Sequence, residues 1–273
     1  AGRKAGESGS PGRESGSPGK ESGQAEGEQA ALSRVQKALV ALERGRYAEA
    51  QALLAECLRQ LTELPVAAKR APASSEALAD AEQERSADVR FCAQYSIVCS
   101  LLLALDTASH DTRELYRLSE RARLSALLGA LPLLARHRRV CVGIAIAENL
   151  RAQNFGLVAS LAVAMGSRPL AQLLPPAQRA ELTQLRAQCE AEGLADGSSV
   201  LAPCRACGHQ TLVCASECEQ CGVKVHVCCA SHRVLQSDDF SWCRLCFCLF
   251  SPEVAPLGSN CPVCGTGVVI PGG

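Results

Sequence analysis

The chain has 273 residues, 47% of them hydrophobic, and its 28 basic residues balance 28 acidic ones. This length and composition are typical of a globular protein with one extended or two compact domains. The balanced charge excludes the strongly basic surface that nucleic acid or an anionic membrane attracts, so we expect no nucleic-acid partner.

Residues 1–28 form a low-complexity segment. The unit Glu-Ser-Gly-Ser-Pro-Gly followed by a basic residue occurs twice between Glu7 and Lys20, and no apolar residue here is larger than alanine. Such a segment buries too little surface to offset its ordering entropy, so we predict a disordered tail. Ala1 stands where an initiator methionine is expected, so we expect either the C-terminal piece of a longer protein or an incomplete gene model.

Neither a signal peptide nor a membrane span is expected. We find no apolar run of the roughly 18 to 20 residues that a span needs, and the N-terminus lacks the pattern of a leader. We therefore expect a cytoplasmic protein in a reducing compartment, where cysteines bind metal or stay reduced.

Residues 29–198 have the period of α-helices. Leucines and valines recur every three or four residues on either side of Gly45, which predicts an antiparallel helix hairpin with its turn at residues 45–50. A similar string at residues 153–159 predicts a second hairpin. A loop is expected at residues 65–85, and further helices near residues 87–105, 112–128, 134–150 and 177–189. The pattern predicts a mainly α fold, an α-solenoid of tetratricopeptide-like hairpins.

Cysteines and histidines of this helical part are not predicted to be functional. The cysteines fall on apolar stripes and are expected to be small core residues: Cys57, Cys92, Cys99, Cys141 and Cys189. His110 and His137 are expected to face solvent. No Cys–His pair with an orienting carboxylate is recognisable, so we predict no enzymatic activity and no small-molecule substrate.

Residues 200–270 form a cysteine-rich module that contains twelve of the seventeen cysteines. Two residues between cysteines let one tight turn present both thiolates to one tetrahedral zinc ion. Alternation over residues 223–227 predicts a short strand, and the whole is typical of a small zinc-ribbon-like β module. The four C-x2-C pairs are Cys204 and Cys207, Cys218 and Cys221, Cys243 and Cys246, and Cys261 and Cys264.

The simplest assignment gives one structural zinc ion to the first two pairs and a second to the last two. Four thiolates leave no open coordination position, so both ions would be structural and not catalytic. A competing assignment takes Cys229 and His232 as a ligand pair and interleaves the pairs in the cross-brace of a RING domain. Trp242 and Phe240, beside Cys243, either form a recognition surface or pack against the zinc site.

Residues 32–270 resemble the C-terminal domain of the α subunit of coatomer, the COPI vesicle coat. The resemblance depends on the order and spacing of short strings along the chain. These are Gly45-Arg46-Tyr47-Ala48-Glu49-Ala50, Asn154-Phe155 with Ala159, Ala187-Gln188-Cys189-Glu190, Cys228-Cys229-Ala230-Ser231-His232-Arg233, Cys248 with Ser251-Pro252-Glu253, and Gly258 with Cys261.

The first two cysteine pairs depart from the coatomer pattern. They are more similar to the C-terminal ends of the WD-repeat subunits of intraflagellar transport complex A. In the coatomer pattern the later cysteines correspond to Cys228, Cys243, Cys248 and Cys261, so Cys228 and Cys248 compete with Cys246 and Cys264 as ligands.

The resemblance implies a scaffold subunit of a COPI-like vesicle coat that acts in intracellular protein transport. It implies a helical-repeat partner similar to the ε subunit of coatomer, and peripheral association with Golgi or transport-vesicle membranes through the complex. Two alternatives stay open: a subunit of intraflagellar transport complex A, and a RING-type ubiquitin ligase or tethering-complex subunit.

Overall fold

A computed structural model describes residues 22–63 and 75–272, which are mostly helical and end in a module of short strands. This confirms the mainly α fold followed by a small sheet-containing, cysteine-rich part. The helices are α1 (Ser22–Glu43), α2 (Tyr47–Glu63), α3 (Ser75–Ser109), α4 (Glu114–Ala130), α5 (Ala135–Arg151), α6 (Phe155–Gly166) and α7 (Pro176–Glu192), with a 3₁₀ turn at Leu170–Leu173.

The predicted hairpins are present, although two helices begin earlier than expected. Gly45 has a φ of 73° in the turn between α1 and α2, a left-handed conformation that glycine adopts without steric cost. Helix α1 begins at Ser22, inside the segment predicted to be disordered, and α3 begins at Ser75, inside the predicted loop. The rest of those two predictions, at residues 1–21 and 65–74, lies outside the described residues.

The described helices pack mainly on their neighbours in the chain, from α1 on α2 through to α6 on α7. Helix α4 is central, because every residue from Ala122 to Gly129 is buried. Gly129 allows α5 to approach, since a β-carbon there would lie 2.8 Å from Cβ of Ala145. A helix buried on all sides needs partners on all sides, and α4 receives them from α3, from α5 and from the cysteine-rich module.

Helix α3 corrects the prediction that no stretch is long enough to span a membrane. Residues Arg85–Ser109 pass that test by length and hydropathy. More than half of the most apolar window is buried inside the protein, and the core helix of a soluble protein passes the same test.

His137 was predicted to face solvent, and this prediction is wrong. The side chain is buried, with Nδ1 2.7 Å from the Tyr95 hydroxyl and Nε2 2.9 Å from a carboxylate oxygen of Glu43. These contacts join α1, α3 and α5 around one imidazole ring. His110, in contrast, is exposed as predicted.

The predicted boundary between helices and module is a fixed connection. The Gly197 N–H donates to the side-chain oxygen of buried Asn154, at 2.8 Å, and the Leu157 N–H donates to Asp196, at 2.9 Å. Val200, which follows, is fully buried. The chain therefore enters the module already tied to the start of α6.

The module contains two small antiparallel sheets. Strand β1 (Leu201–Pro203) pairs with β2 (Gln210–Leu212), and β3 (Ser241–Cys243) lies between β4 (Leu249–Phe250) and β5 (Val269–Pro271). The strand predicted at residues 223–227 is not formed, since only isolated bridges occur at Lys224 and Val227. Backbone groups there hydrogen-bond to turns and not to a continuous ladder.

Helices and module share their hydrophobic interior. Val200, Ala202 and Val213 belong to the same buried cluster as residues of α3 to α7, and Cys228 and Phe250 belong to a cluster with α1, α2 and residues 89–99 of α3. A largely apolar cavity of about 170 Å³ remains at this interface. Residues of the module therefore contribute to the same buried interior as the helices.

Candidate metal centres

A recurring cysteine turn, here called a knuckle, builds the module. In each knuckle the first cysteine accepts, through its carbonyl, the N–H of the residue four positions on, at 2.8 to 2.9 Å. The N–H of the same cysteine donates to a carbonyl five positions on, or six in the last knuckle. Five knuckles occur in the described residues, and they begin at Cys204, Cys218, Cys228, Cys243 and Cys261.

The first and second knuckles bring together Cys204, Cys207, Cys218 and Cys221. All four sulfur atoms lie within 4.8 Å of one another, with Cys204 to Cys221 at 3.5 Å and Cys207 to Cys218 at 3.7 Å. Cys207 and Cys221 are exposed, so this cluster lies at the surface. Backbone N–H groups of Cys207 and Ala206 lower the pKa of the Cys204 thiol to about 6, which favours a thiolate ligand.

The fourth and fifth knuckles bring together Cys243, Cys246, Cys261 and Cys264. Their sulfur atoms also lie within 4.8 Å of one another, with both cross-knuckle distances at 3.6 Å, and all four residues are buried. Backbone N–H groups point at the sulfurs: those of Leu245 and Cys246 at Cys243, for example, at 3.4 and 3.5 Å. Such donors stabilise negative sulfur in an interior that would otherwise disfavour charge.

The geometry of both clusters fits zinc. A tetrahedral ion with Zn–S bonds of about 2.3 Å separates its ligand sulfurs by roughly 3.8 Å, close to the 3.5 to 3.7 Å observed. A β-carbon on Gly267 would collide with Cys243 and lie 3.2 Å from the Cys264 sulfur, so the cradle of the second cluster is closely fitted. The predicted ligand set, with two structural zinc ions, agrees with this arrangement.

The competing cross-brace assignment is wrong, because each cluster joins successive knuckles and not alternate ones. His232 belongs to neither cluster, and its Nε2 lies 2.9 Å from the Ser100 hydroxyl of α3. Cys228 and Cys248, the competing ligands in the coatomer pattern, are buried but belong to neither cluster. His226 is half-buried against Phe240 and is no ligand either.

The third knuckle, residues Cys228 to Arg233, is a feature that the spacing of cysteines did not reveal. It has the knuckle hydrogen bonds, but Ser231 stands where a second thiol would be. Instead of metal it contacts helices: Arg123 of α4 donates to the His232 carbonyl, and Arg233 lies 3.2 Å from Glu120. The sequence contains only one cysteine, Cys228, at the knuckle positions of this turn, and the turn has the same length as in the other knuckles.

Buried cysteines of the helices have no reactive character. Burial raises the pKa of the Cys92, Cys99 and Cys141 thiols to about 12. A thiol that stays protonated at neutral pH is a weak nucleophile and a weak ligand. These residues are core residues, as the sequence predicted.

No protein-family model matches the chain, and a search of curated proteins found no significant match. The chemistry of the clusters is therefore the basis for a function. Closed four-thiolate sites hold structure and leave no coordination position for water or substrate.

Proposed function

We propose that this chain is a scaffold part of a membrane-coat or transport complex, COPI-like in its architecture, and that it holds another subunit of helical repeats. In this proposal the consecutive helices form a short solenoid, and the zinc module caps it. Its place is the cytoplasmic side of Golgi or transport-vesicle membranes, reached through the complex.

The observation that carries the proposal is the shared core of helices and module. Two closed thiolate clusters stabilise knuckles, and the third knuckle fastens the module to α3 and α4 through His232 and Arg123. These clusters and contacts hold a surface in place, and neither cluster leaves an open coordination position. Rigid helical arrays with large surfaces are suited to holding other proteins.

Intraflagellar transport complex A is a second candidate, and one observation favours it. Cys204, Cys207, Cys218 and Cys221 make a complete site in this chain. The coatomer pattern has no counterpart for these pairs, whereas the complex A ends resemble them.

Reconstitution tests the proposal and separates the candidates. The zinc-loaded chain is co-expressed with the ε subunit of coatomer or with subunits of complex A, and complexes are measured by size-exclusion chromatography with light scattering. We expect a 1:1 complex in one of the two series. Failure in both series, or turnover of a substrate by the chain alone, would refute the scaffold role.

A further inference from the structure

The fifth residue of every knuckle has a left-handed backbone. In three knuckles this residue is a glycine, Gly208, Gly222 or Gly265, with φ between 70° and 75°. In the other two it carries a large side chain: His232 has a φ of 56° and Phe247 a φ of 61°. A left-handed backbone is unfavourable for such residues, and strained positions of this kind persist where the side chain has a use.

The use of His232 is visible inside the molecule. Its ring lies 2.9 Å from the Ser100 hydroxyl and its carbonyl accepts from Arg123, so the residue fastens the module to two helices. The side chain is 6% exposed. Contacts inside the molecule therefore explain why a histidine, and not a glycine, has the left-handed backbone in this knuckle.

Internal packing does not account for Phe247 in the same way. Its side chain is 46% exposed, in a module where other aromatic rings are covered or half-covered. Its ring stacks on Trp242, with centroids 5.5 Å apart and planes 18° apart. The guanidinium of Arg90 lies 5.7 Å from the ring centroid, near the outer limit of a cation–π contact. Among the described residues, Trp242 and Arg90 are the ring's aromatic and cationic neighbours, and nearly half of Phe247 is still exposed.

Phe247 extends an apolar sheet face. Trp242 pairs with Leu249 on one side and with Ile270 on the other, so the three side chains form a row across β4, β3 and β5. All three are half-buried, while Ser241, Cys243, Phe250 and Val269 are buried on the opposite face. Val268, two residues before Ile270 and thus on the same side, is 47% exposed.

The outer side of a small antiparallel sheet is usually polar. Here it is apolar, and the module presents a contiguous surface that we name the aromatic face. The aromatic face consists of Trp242, Phe247, Leu249, Val268 and Ile270.

The sheet edges are already paired, which decides how a partner can bind. The Cys229 N–H donates to Leu249 at the edge of β4, and β5 is hydrogen-bonded to Ser259 and Gly258. An added strand therefore has no free edge to pair with. A partner must lie across the face, as an amphipathic helix does.

Basic groups border the aromatic face. Arg90 approaches from α3 over Phe247, and exposed Arg244 is fixed beside the face by its N–H bond to the Val268 carbonyl, at 3.1 Å. Neither guanidinium has a carboxylate partner among the ion pairs of the described residues. A complementary helix carries carboxylates beside its apolar stripe.

We propose that the aromatic face binds an amphipathic helix with acidic flanks, contributed by the helical-repeat partner. This inference rests on the proposed scaffold function and deepens it by naming a contact surface. Trp242 and Phe247 insert between apolar side chains of the helix, and Arg90 and Arg244 pair with its carboxylates. Exposed aromatic rings and arginines are the residues that dominate binding energy in protein interfaces.

Trp242 makes the proposal directly measurable, because it is the only tryptophan of the chain. The probe is a synthetic helical peptide with leucines every three or four residues and glutamates beside them, titrated into the zinc-loaded full chain. A second peptide has lysines in place of the glutamates. We expect a blue shift of Trp242 emission with the acidic peptide and at least tenfold weaker binding of the basic one, about 1.4 kcal/mol.

Two variants and one control test the role of the face. Phe247→Gly removes the ring and suits the left-handed backbone, so we expect two zinc ions, no loss of thermal stability and at least tenfold weaker binding of the acidic peptide. Arg244→Glu places a carboxylate opposite the remaining Arg90, so it should abolish the preference for the acidic peptide over the basic one. Leu115→Ala removes a side chain that is 85% exposed on α4 and should change nothing.

The outcomes decide separately for the face and for the scaffold. The proposal is overturned if Phe247→Gly and Arg244→Glu both bind the peptides like the wild type. It is also overturned if vesicles of phosphatidylcholine or phosphatidylserine shift the Trp242 emission to the blue and neither peptide does, because that result would indicate a membrane contact. If Phe247→Gly melts lower and binds normally, the ring serves the Arg90 contact only and the proposal fails. If the variants bind the co-expressed helical-repeat partner like the wild type, the scaffold function survives without this surface.

Discussion

At the scale of single residues, the second metal cluster depends on a residue without a side chain. A β-carbon on Gly267 would collide with the Cys243 sulfur and lie 2.8 Å from Cβ of Leu245. Its N–H also donates to the Cys264 sulfur at 3.3 Å. The arrangement of the second cluster therefore requires glycine at position 267, because there is no room for a side chain beside the two sulfurs.

We predict that Gly267→Ala weakens zinc binding at the second cluster. Overpacking a fitted interior costs about 1 to 3 kcal/mol, and here the strain acts on two ligands. Zinc release to a chromogenic chelator should become faster for one of the two ions. Gly265→Ala is the matched control: no atom lies within 4 Å of the added carbon, so only the left-handed backbone, at about 1 kcal/mol, opposes it. Equal release rates for both variants would contradict the steric argument.

His232 provides a second prediction at this scale. His232→Ala should keep two zinc ions per chain, because the imidazole binds Ser100 and not metal. It should lower the free energy of unfolding by about 1 to 3 kcal/mol, since the buried imidazole and its partly buried hydrogen bond to Ser100 are lost while the backbone strain stays. Elemental analysis and urea unfolding measure the two effects. A loss of one zinc ion would restore the cross-brace assignment, and Cys229→Ala, expected to keep both ions, is its control.

The sequence predicted the eight cysteines that the structure brings into two clusters, because C-x2-C spacing determines local geometry. It left open which pairs share an ion, since that depends on how distant turns meet, and the structure joins successive turns. It also missed the burial of His137, whose partners Tyr95 and Glu43 come from other helices. Contacts between residues far apart in sequence leave no periodic signal.

At the scale of elements, α4 and α5 cross where their side chains are smallest. An alanine at Gly129 of α4 would place its β-carbon 2.8 Å from Ala145 and 3.4 Å from Leu161. Gly143 of α5, in contrast, has a single neighbour at 4.0 Å, the terminal carbon of Met165. The two glycines are both helical and differ in what surrounds them.

We therefore predict opposite effects of the same substitution. Gly129→Ala should lower the free energy of unfolding by about 1 to 3 kcal/mol, because the helices must separate. Gly143→Ala should raise it by up to about 1 kcal/mol, the usual difference in helix propensity. Thermal unfolding followed by circular dichroism compares them directly. Destabilisation by both would mean that α5 is packed more tightly around Gly143 than these distances indicate.

Helix periods predicted the existence of these elements and their order, but not their ends. Helix α3 begins at Ser75 and so includes residues 75–85, which composition indicated to be part of a loop. The strand expected at residues 223–227 fails for the opposite reason. Alternating side chains favour a strand, yet the knuckles on both sides take up the backbone hydrogen bonds.

At the scale of the whole molecule, the cysteine-rich module and the helices are joined through a common interior. Val200, Ala202 and Val213 lie in one buried cluster with the helices, and the third knuckle connects α3 and α4 to the module. Structural zinc ions contribute folding free energy on the order of 10 kcal/mol in small modules. Loss of the ions should therefore destabilise the helices that the module contacts.

We predict that a chelator removes zinc in two phases and loosens the helical part. The first cluster should release its ion faster, because Cys207 and Cys221 are exposed while all ligands of the second cluster are buried. Loss of the second ion should free the third knuckle and raise amide hydrogen exchange in α3 and α4, whose central residues lose their cover. A chromogenic assay measures zinc release, and mass spectrometry measures amide hydrogen exchange in the same samples. Adding zinc back should restore the protection of α3 and α4. If α3 and α4 keep their protection in the fully metal-free chain, helices and module are energetically independent, and zinc serves the module alone.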